Sequence, residues 1–119
     1  GDGGFDGGPL GLIALTPDRD RAASAEIGIL LRPEARGMGV GGEAVAALVD
    51  QVFSTTDIVR LWTRHAATHA GALGIMRQLG FDPMPADPAA PDRTSWVLFR
   101  ETWHARKSGR GFAILPLAG

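Results

Sequence analysis

The sequence predicts one α/β or α+β domain, and three observations carry that reading. The apolar segments come in the order strand, strand, helix, strand, helix, strand, which is the pattern of a sheet built with one or two crossover units. Within those segments the apolar residues alternate in some stretches and recur every three or four positions in others. Glycine- and proline-rich stretches separate them. The 119 residues amount to one domain's worth of chain.

Taken in order, residues 1–8 are rich in glycine and aspartate and form a flexible lead. Pro9 to Thr16 is short and apolar, a strand. A polar turn, Pro17 to Arg21, leads to a second strand over Ser24 to Leu31, so the pair forms a hairpin. After a connection ending near Gly37, a helix runs from about Gly41 to Ser54. Val45, Leu48, Val49, Val52 and Phe53 share one of its faces. Ile58 to Arg64 alternates as a third strand. Ala70 to Leu79 is a second helix with Ala72, Ile75, Met76 and Leu79 inward. Gly80 is its C-cap, and Phe81 packs under its end. Asp82 to Arg93 holds four prolines and reads as a loop. Thr94 to Glu101 is a fourth strand, and Phe112 to Leu117 reads as one more strand or an ordered end. The domain is thus expected over 9–103, followed by a basic tail over 104–119 that carries Arg106, Lys107 and Arg110.

Composition excludes several function classes. Apolar content of 45% against 21% charged residues is that of a globular chain. A net charge of -1 gives no electrostatic case for nucleic acid or a membrane surface. The absence of cysteine removes disulfides, zinc–thiolate sites and a thiol nucleophile, and fits a cytoplasmic protein. No metal site is expected. No apolar run approaches the roughly 18 residues needed to span a bilayer.

The most informative stretch is Arg36-Gly37-Met38-Gly39-Val40-Gly41-Gly42. Glycines let a backbone approach a ligand closely and adopt positive φ. The helix that follows turns its free N–H groups and its dipole toward the loop, which favours a phosphate, and Arg36 adds a fixed positive charge. A plain flexible turn is the competing reading. The stretch also matches the dinucleotide fingerprint G-x-G-x-x-G, but Arg32 to Arg36 separate it from its strand. Asp57 has the spacing of the ribose-binding acid yet precedes its strand. A P-loop is excluded because no Lys-Ser or Lys-Thr follows.

Arg36 to Gly41 also resembles the pyrophosphate motif Gln/Arg-x-x-Gly-x-Gly/Ala of the GNAT superfamily of N-acyltransferases. The approach from Ala25 to Gly37, with Glu43-Ala44 and Leu79-Gly80-Phe81, is similar to its ribosomal-protein N-acetyltransferase branch. The resemblance covers roughly residues 10 to 103. It implies a mixed, mostly antiparallel central sheet flanked by helices, with acetyl-CoA as cosubstrate. It assigns Ile29, Leu30 and Leu31 to the pantetheine arm and Arg36, Gly37, Met38, Gly39, Val40, Gly41 and Gly42 to the pyrophosphate. The same three strand residues also read as ordinary core.

Transfer of an acetyl group to an amine needs a base for the amine and a proton for the leaving thiolate. The resemblance offers Glu26 as the base, against the plainer reading of a solvent-facing strand residue. The thiolate acid of that family is usually a Tyr or Ser near the second helix, and this chain has no Tyr. His69-Ala70-Gly71-Ala72 stands where that branch has Asn-x-x-Ser, which leaves His69 as the acid or as a donor to the CoA arm, or as a helix-start residue with no ligand. His65 faces the same cleft in this reading, and His104 is simply exposed.

The implied activity is transfer of an acetyl group from acetyl-CoA to a primary amine, on a protein amino terminus or a small molecule. The alternative is a non-catalytic CoA-binding or regulatory module. The chain does not begin with Met and lacks the family's first strand and helices, so a fragment or truncated product is expected. Its first strand would then be a bare edge that pairs with another chain, giving a homodimer.

Overall fold

A computed structural model describes residues 11–31 and 39–109. Arg36, Gly37 and Met38, the lead over 1–8 and the residues from 110 onward, with the strand expected there, lie outside the described residues. The elements are β1 (Gly11–Pro17), β2 (Ser24–Leu31), α1 (Val40–Thr55), β3 (Arg60–Ala66), α2 (Ala70–Leu79), β4 (Asp82–Pro83), β5 (Arg93–Phe99) and α3 (Arg100–Gly109). The five strands form one sheet in the order β1-β2-β3-β5-β4. Only β2 and β3 are parallel, joined through α1, and every other neighbouring pair is antiparallel. This is the mixed, mostly antiparallel sheet that the family resemblance implies.

Alternation along the strands sends Ala25, Ile27, Leu61, Trp96 and Leu98 to one face, where they are buried. All three described helices cover that face. α1 contributes Val45, Val49, Val52 and Phe53, α2 contributes Met76 and Leu79, and α3 contributes Trp103. The opposite face carries Leu12 and Leu30, paired across β1 and β2 and about two-thirds exposed. Among the described residues no helix covers it.

Short-range signals fix the helix ends as the sequence anticipates. Gly80 takes φ 84 after α2, a left-handed conformation that costs glycine no Cβ clash. Its N–H donates to the Arg77 and Met76 carbonyls and the Phe81 N–H donates to the Met76 carbonyl, which closes the helix with its last carbonyls satisfied. Phe81 is buried beneath.

Two elements differ from the sequence reading. β4 pairs with β5 inside the proline-rich loop. Residues 100–109 are helical, so the strand ends at Phe99 and the expected basic tail begins as α3. The reason is a single anchor. Trp103 is 2% exposed, and its indole N–H donates to Asp50 Oδ1 of α1 at 2.7 Å. Two charges of the expected basic tail have partners within the fold. Lys107 Nζ sits 2.9 Å from Asp50 Oδ1, and Arg106 donates to the Gly80 carbonyl and lies 4.0 Å from Asp82. His104 is exposed, with its ring 6.5 Å from that of Phe53.

Among the described residues no helix is long and apolar enough to cross a membrane. No group of three His, Cys, Asp or Glu side chains among them could hold a metal ion.

Candidate active site in the open sheet

β2 and β3 pair over three residues only: Ser24 with Arg60, Ala25 with Leu61, and Glu26 with Trp62. Both strands then continue on their outer partners, β2 along β1 to Leu31 and β3 along β5 to Ala66. The sheet therefore opens as a V whose closed end lies at Glu26 and Trp62. A cleft of about 500 Å³ occupies the opening. Glu26, Ile27, Gly28, Ile29 and Leu30 form one wall, Thr63, Arg64 and His65 the other, and His69 at the N-cap of α2 with Ala72, Ile75 and Met76 of that helix lie along it.

The closed end is pinned from the turn between β1 and β2. Asp18 accepts from the Trp62 indole N–H at 3.0 and 3.1 Å. Arg60 donates to the Ser24 hydroxyl at 2.9 Å and lies 3.8 Å from Asp18. The Ala23 carbonyl accepts from the Val59 and Arg60 N–H groups. Beyond this clamp, the edge of β2 that faces β3 has no ladder partner among the described residues. The buried Thr63 hydroxyl reaches across instead and donates to the Ile27 carbonyl at 2.8 Å. An unpaired strand edge inside a cleft can hydrogen-bond an extended, amide-bearing ligand.

The structure brings Glu26, Ile29, Leu30 and His69, which the sequence singled out, to this one cleft. Glu26 is partly buried at the apex of the V, and its carboxylate lies 3.8 Å from Arg64 Nε. His69 caps α2, accepting at Nδ1 from the Ala72 N–H at 3.1 Å. The neutral ring then carries its proton on Nε2. His65 lines the cleft too, but both of its nitrogens are engaged. The Trp96 indole N–H donates to Nε2 at 2.9 Å, and Nδ1 lies 2.8 Å from the Ala66 carbonyl. Those two bonds fix the neutral tautomer with the proton on Nδ1.

The glycine loop enters α1 through Gly39, which has φ 77, with no side chain capping the helix. The first-turn N–H groups of a helix have no acceptor within the helix, and its amino end favours an anion.

Sequence reading missed Thr63, Arg64 and Arg93 as cleft residues. Thr63 and Arg64 sit in an alternating strand that marks only inside and outside. Arg93 closes a proline-rich stretch that carries no signal of where it returns.

A family model for the acetyltransferase (GNAT) domain matches residues 3–82. No curated relative matches the chain. Among solved structures, mutant forms of the spermidine/spermine N-acetyltransferase SpeG from Vibrio cholerae superpose with TM-score 0.72 at 18% identity, covering 82% of this chain and 61% of that one. The spermidine N-acetyltransferase from Vibrio cholerae in complex with CoA and spermine gives TM-score 0.70 at 18% identity, over 80% of this chain and 60% of that one. The ribosomal-protein-S5-alanine acetyltransferase from Vibrio fischeri gives 0.65 at 17%, over 79% and 56%. The chain therefore spans between 56% and 61% of the length of these structures.

Proposed function

The chain belongs to the acetyltransferase (GNAT) family, and from that premise we propose that it moves an acetyl group from acetyl-CoA to the primary amine of an acceptor. The observation that carries this reading is the early end of the β2–β3 ladder, which leaves an unpaired β2 edge in a cleft beside α2. The pantetheine arm, with its two amides, is the extended group that such an edge suits. In this reading Ile29, Leu30 and Leu31 take the pantetheine. Arg36, Gly37, Met38, Gly39, Val40, Gly41 and Gly42 take the pyrophosphate at the start of α1, where the left-handed Gly39 and the amino end of the helix favour an anion.

The reaction converts R–NH3+ and acetyl–S–CoA into R–NH–acetyl, HS–CoA and one released proton. The amine first loses a proton to Glu26, directly or through water. Its nitrogen then forms the C–N bond at the thioester carbon, the C–S bond breaks, and the nitrogen sheds its second surplus proton. The leaving sulfur takes that second proton, and His69 Nε2–H, the donor left because Nδ1 accepts from Ala72, stabilises the departing thiolate by a hydrogen bond. His65 has no free nitrogen for this role. The solved structures of similar fold include acetyltransferases named for a polyamine and for a ribosomal-protein alanine, so both acceptor types belong in the test.

Calorimetric titration with acetyl-CoA comes first, with Arg36→Ala expected to weaken binding about tenfold through loss of a charge-assisted contact. Free-thiol release over a panel of primary amines then reads turnover. Glu26→Gln should lower it about a hundredfold or more while acetyl-CoA affinity holds. Unchanged turnover removes Glu26 from the mechanism. Binding without thiol release favours a CoA-binding module, the direction in which Ala72 and the lack of tyrosine point. Absence of acetyl-CoA binding overturns the reading.

A further inference from the structure

The charges along the cleft are unbalanced, and they lie on the sheet face that no described helix covers. Arg64 stands opposite Ser95 in the β3–β5 ladder, and Arg93 lies two residues before Ser95 on the same strand. Residues so related share one face, with Cα atoms about 7–8 Å apart for diagonal neighbours. Both arginines line the cleft. Glu26 is the one carboxylate among its described lining residues, and it lies 3.8 Å from Arg64. No carboxylate among the described residues comes within ion-pairing distance of Arg93. One arginine therefore has no carboxylate partner among the described residues, and it shares a face with a second whose guanidinium lies 3.8 Å from Glu26 and 5.9 Å from the centre of the Trp62 ring.

Two guanidiniums on one face make a fork suited to an oxyanion. They disfavour a polycation, whose ammonium groups would meet like charge. Arg93 also stands across the cleft from β2, with β3 between them, whereas the glycine loop leaves from the β2 side. Its position is that of a group meeting a ligand from the uncovered face, not one reaching the loop.

We propose that the acceptor amine carries a carboxylate, and that Arg93 together with Arg64 binds it on the open face of the cleft. This rests on the acetyl-transfer reading above and gives its acceptor a chemical class. When the carboxylate engages Arg64, it competes with Glu26 for that guanidinium and frees the Glu26 carboxylate for the amine.

The test uses matched primary amines: γ-aminobutyrate, its uncharged analogue γ-aminobutyramide, and spermidine. Each is titrated calorimetrically into the full chain saturated with CoA, and each is assayed for thiol release with acetyl-CoA. The expected result is binding of γ-aminobutyrate about tenfold tighter than of γ-aminobutyramide, with spermidine weakest. In Arg93→Ala that preference should fall toward unity while acetyl-CoA affinity is unchanged, and Arg93→Lys should restore part of it. Equal binding of the acid and the amide, no binding of either, or tighter binding of spermidine overturns the proposal. So does a loss of acetyl-CoA affinity in Arg93→Ala that disappears with 3′-dephospho-CoA, which would give the arginine to the cosubstrate. The two readings fail separately. Failure of acetyl-CoA to bind the unmodified chain defeats acetyl transfer, while the acid-against-amide comparison, repeated without CoA, still decides the anion site.

Discussion

The Thr63 hydroxyl donates to the Ile27 carbonyl across 2.8 Å, one residue beyond the last rung of the β2–β3 ladder. A side chain thus takes over where the backbone ladder stops, and it satisfies a buried acceptor at the place where the sheet begins to open. Thr63→Val keeps the shape and removes the donor. The orphaned carbonyl should cost about 1–3 kcal/mol, read from urea unfolding. Acetyl-CoA affinity should fall with it, because the width of the V is no longer tied at that point. A stability change within a few tenths of a kcal/mol would show that water satisfies Ile27 and that the tie is incidental.

Gly39 enters α1 at φ 77, with open space around the position where a Cβ would stand. The cost of Gly39→Ala is therefore backbone strain rather than collision, about 1–2 kcal/mol. If the loop holds a pyrophosphate, the same substitution should weaken acetyl-CoA binding by a larger factor than it lowers stability, since it reorients the first-turn N–H groups. Calorimetry alongside thermal unfolding separates the two effects.

Ala23 presents the opposite case. It is the one described non-glycine residue with positive φ, at 57, and its carbonyl anchors the Val59 and Arg60 N–H groups at the closed end of the V. Ala23→Gly relieves that strain at the expense of a more flexible unfolded chain. The net expectation is a stabilisation of about 0.5–1 kcal/mol. A destabilised variant would show that the alanine methyl contributes packing beyond its conformation.

The Asp18 carboxyl is held below its ordinary value of 3.8 by a hydrogen bond from the Ser24 hydroxyl, then by the Trp62 indole N–H and the Arg60 charge, against the opposing effect of burial. Its folded form thus favours the anion. The stability this contributes is complete above about pH 4 and is lost as the pH falls through the lowered value. Thermal midpoints of the unmodified chain should drop along that acid limb. Asp18→Asn should lower the midpoint at neutral pH and flatten the limb. Parallel curves for the two proteins would remove Asp18 from the acid response.

α3 rests on Trp103. Trp103→Ala should cost about 3–5 kcal/mol, with loss of helical signal in circular dichroism beyond a uniform decrease in melting temperature. Retention of the helix would place its stability in local pairs rather than in docking.

That helix shows where sequence reading stops. Around it lie Arg100, Arg106 and Lys107, and in one dimension the stretch looks like a charged tail. Its helical state depends on a tryptophan finding Asp50, 53 positions earlier in the chain. β4 is similar, since two residues ending in proline carry no strand signal and pair only because β5 is there. By contrast, α2 and its Gly80 cap were legible because the period, the cap and the Phe81 that packs beneath it all lie within a dozen residues. The hairpin and the glycine entry to α1 were legible for the same reason.

The sequence by itself determined the order of the elements, which faces are apolar, and a glycine-rich entry to α1. These follow from periodicity and backbone chemistry over a few neighbouring residues. Tertiary structure decided the candidate site. The early end of the β2–β3 ladder, the Thr63 tie to Ile27 over 36 positions, and the placing of Arg64 and Arg93 on one face of β3 and β5 all depend on strand register. No hairpin turn joins β2 to β3 or β3 to β5, so their register is fixed by which faces of distant segments bury together rather than by a local turn.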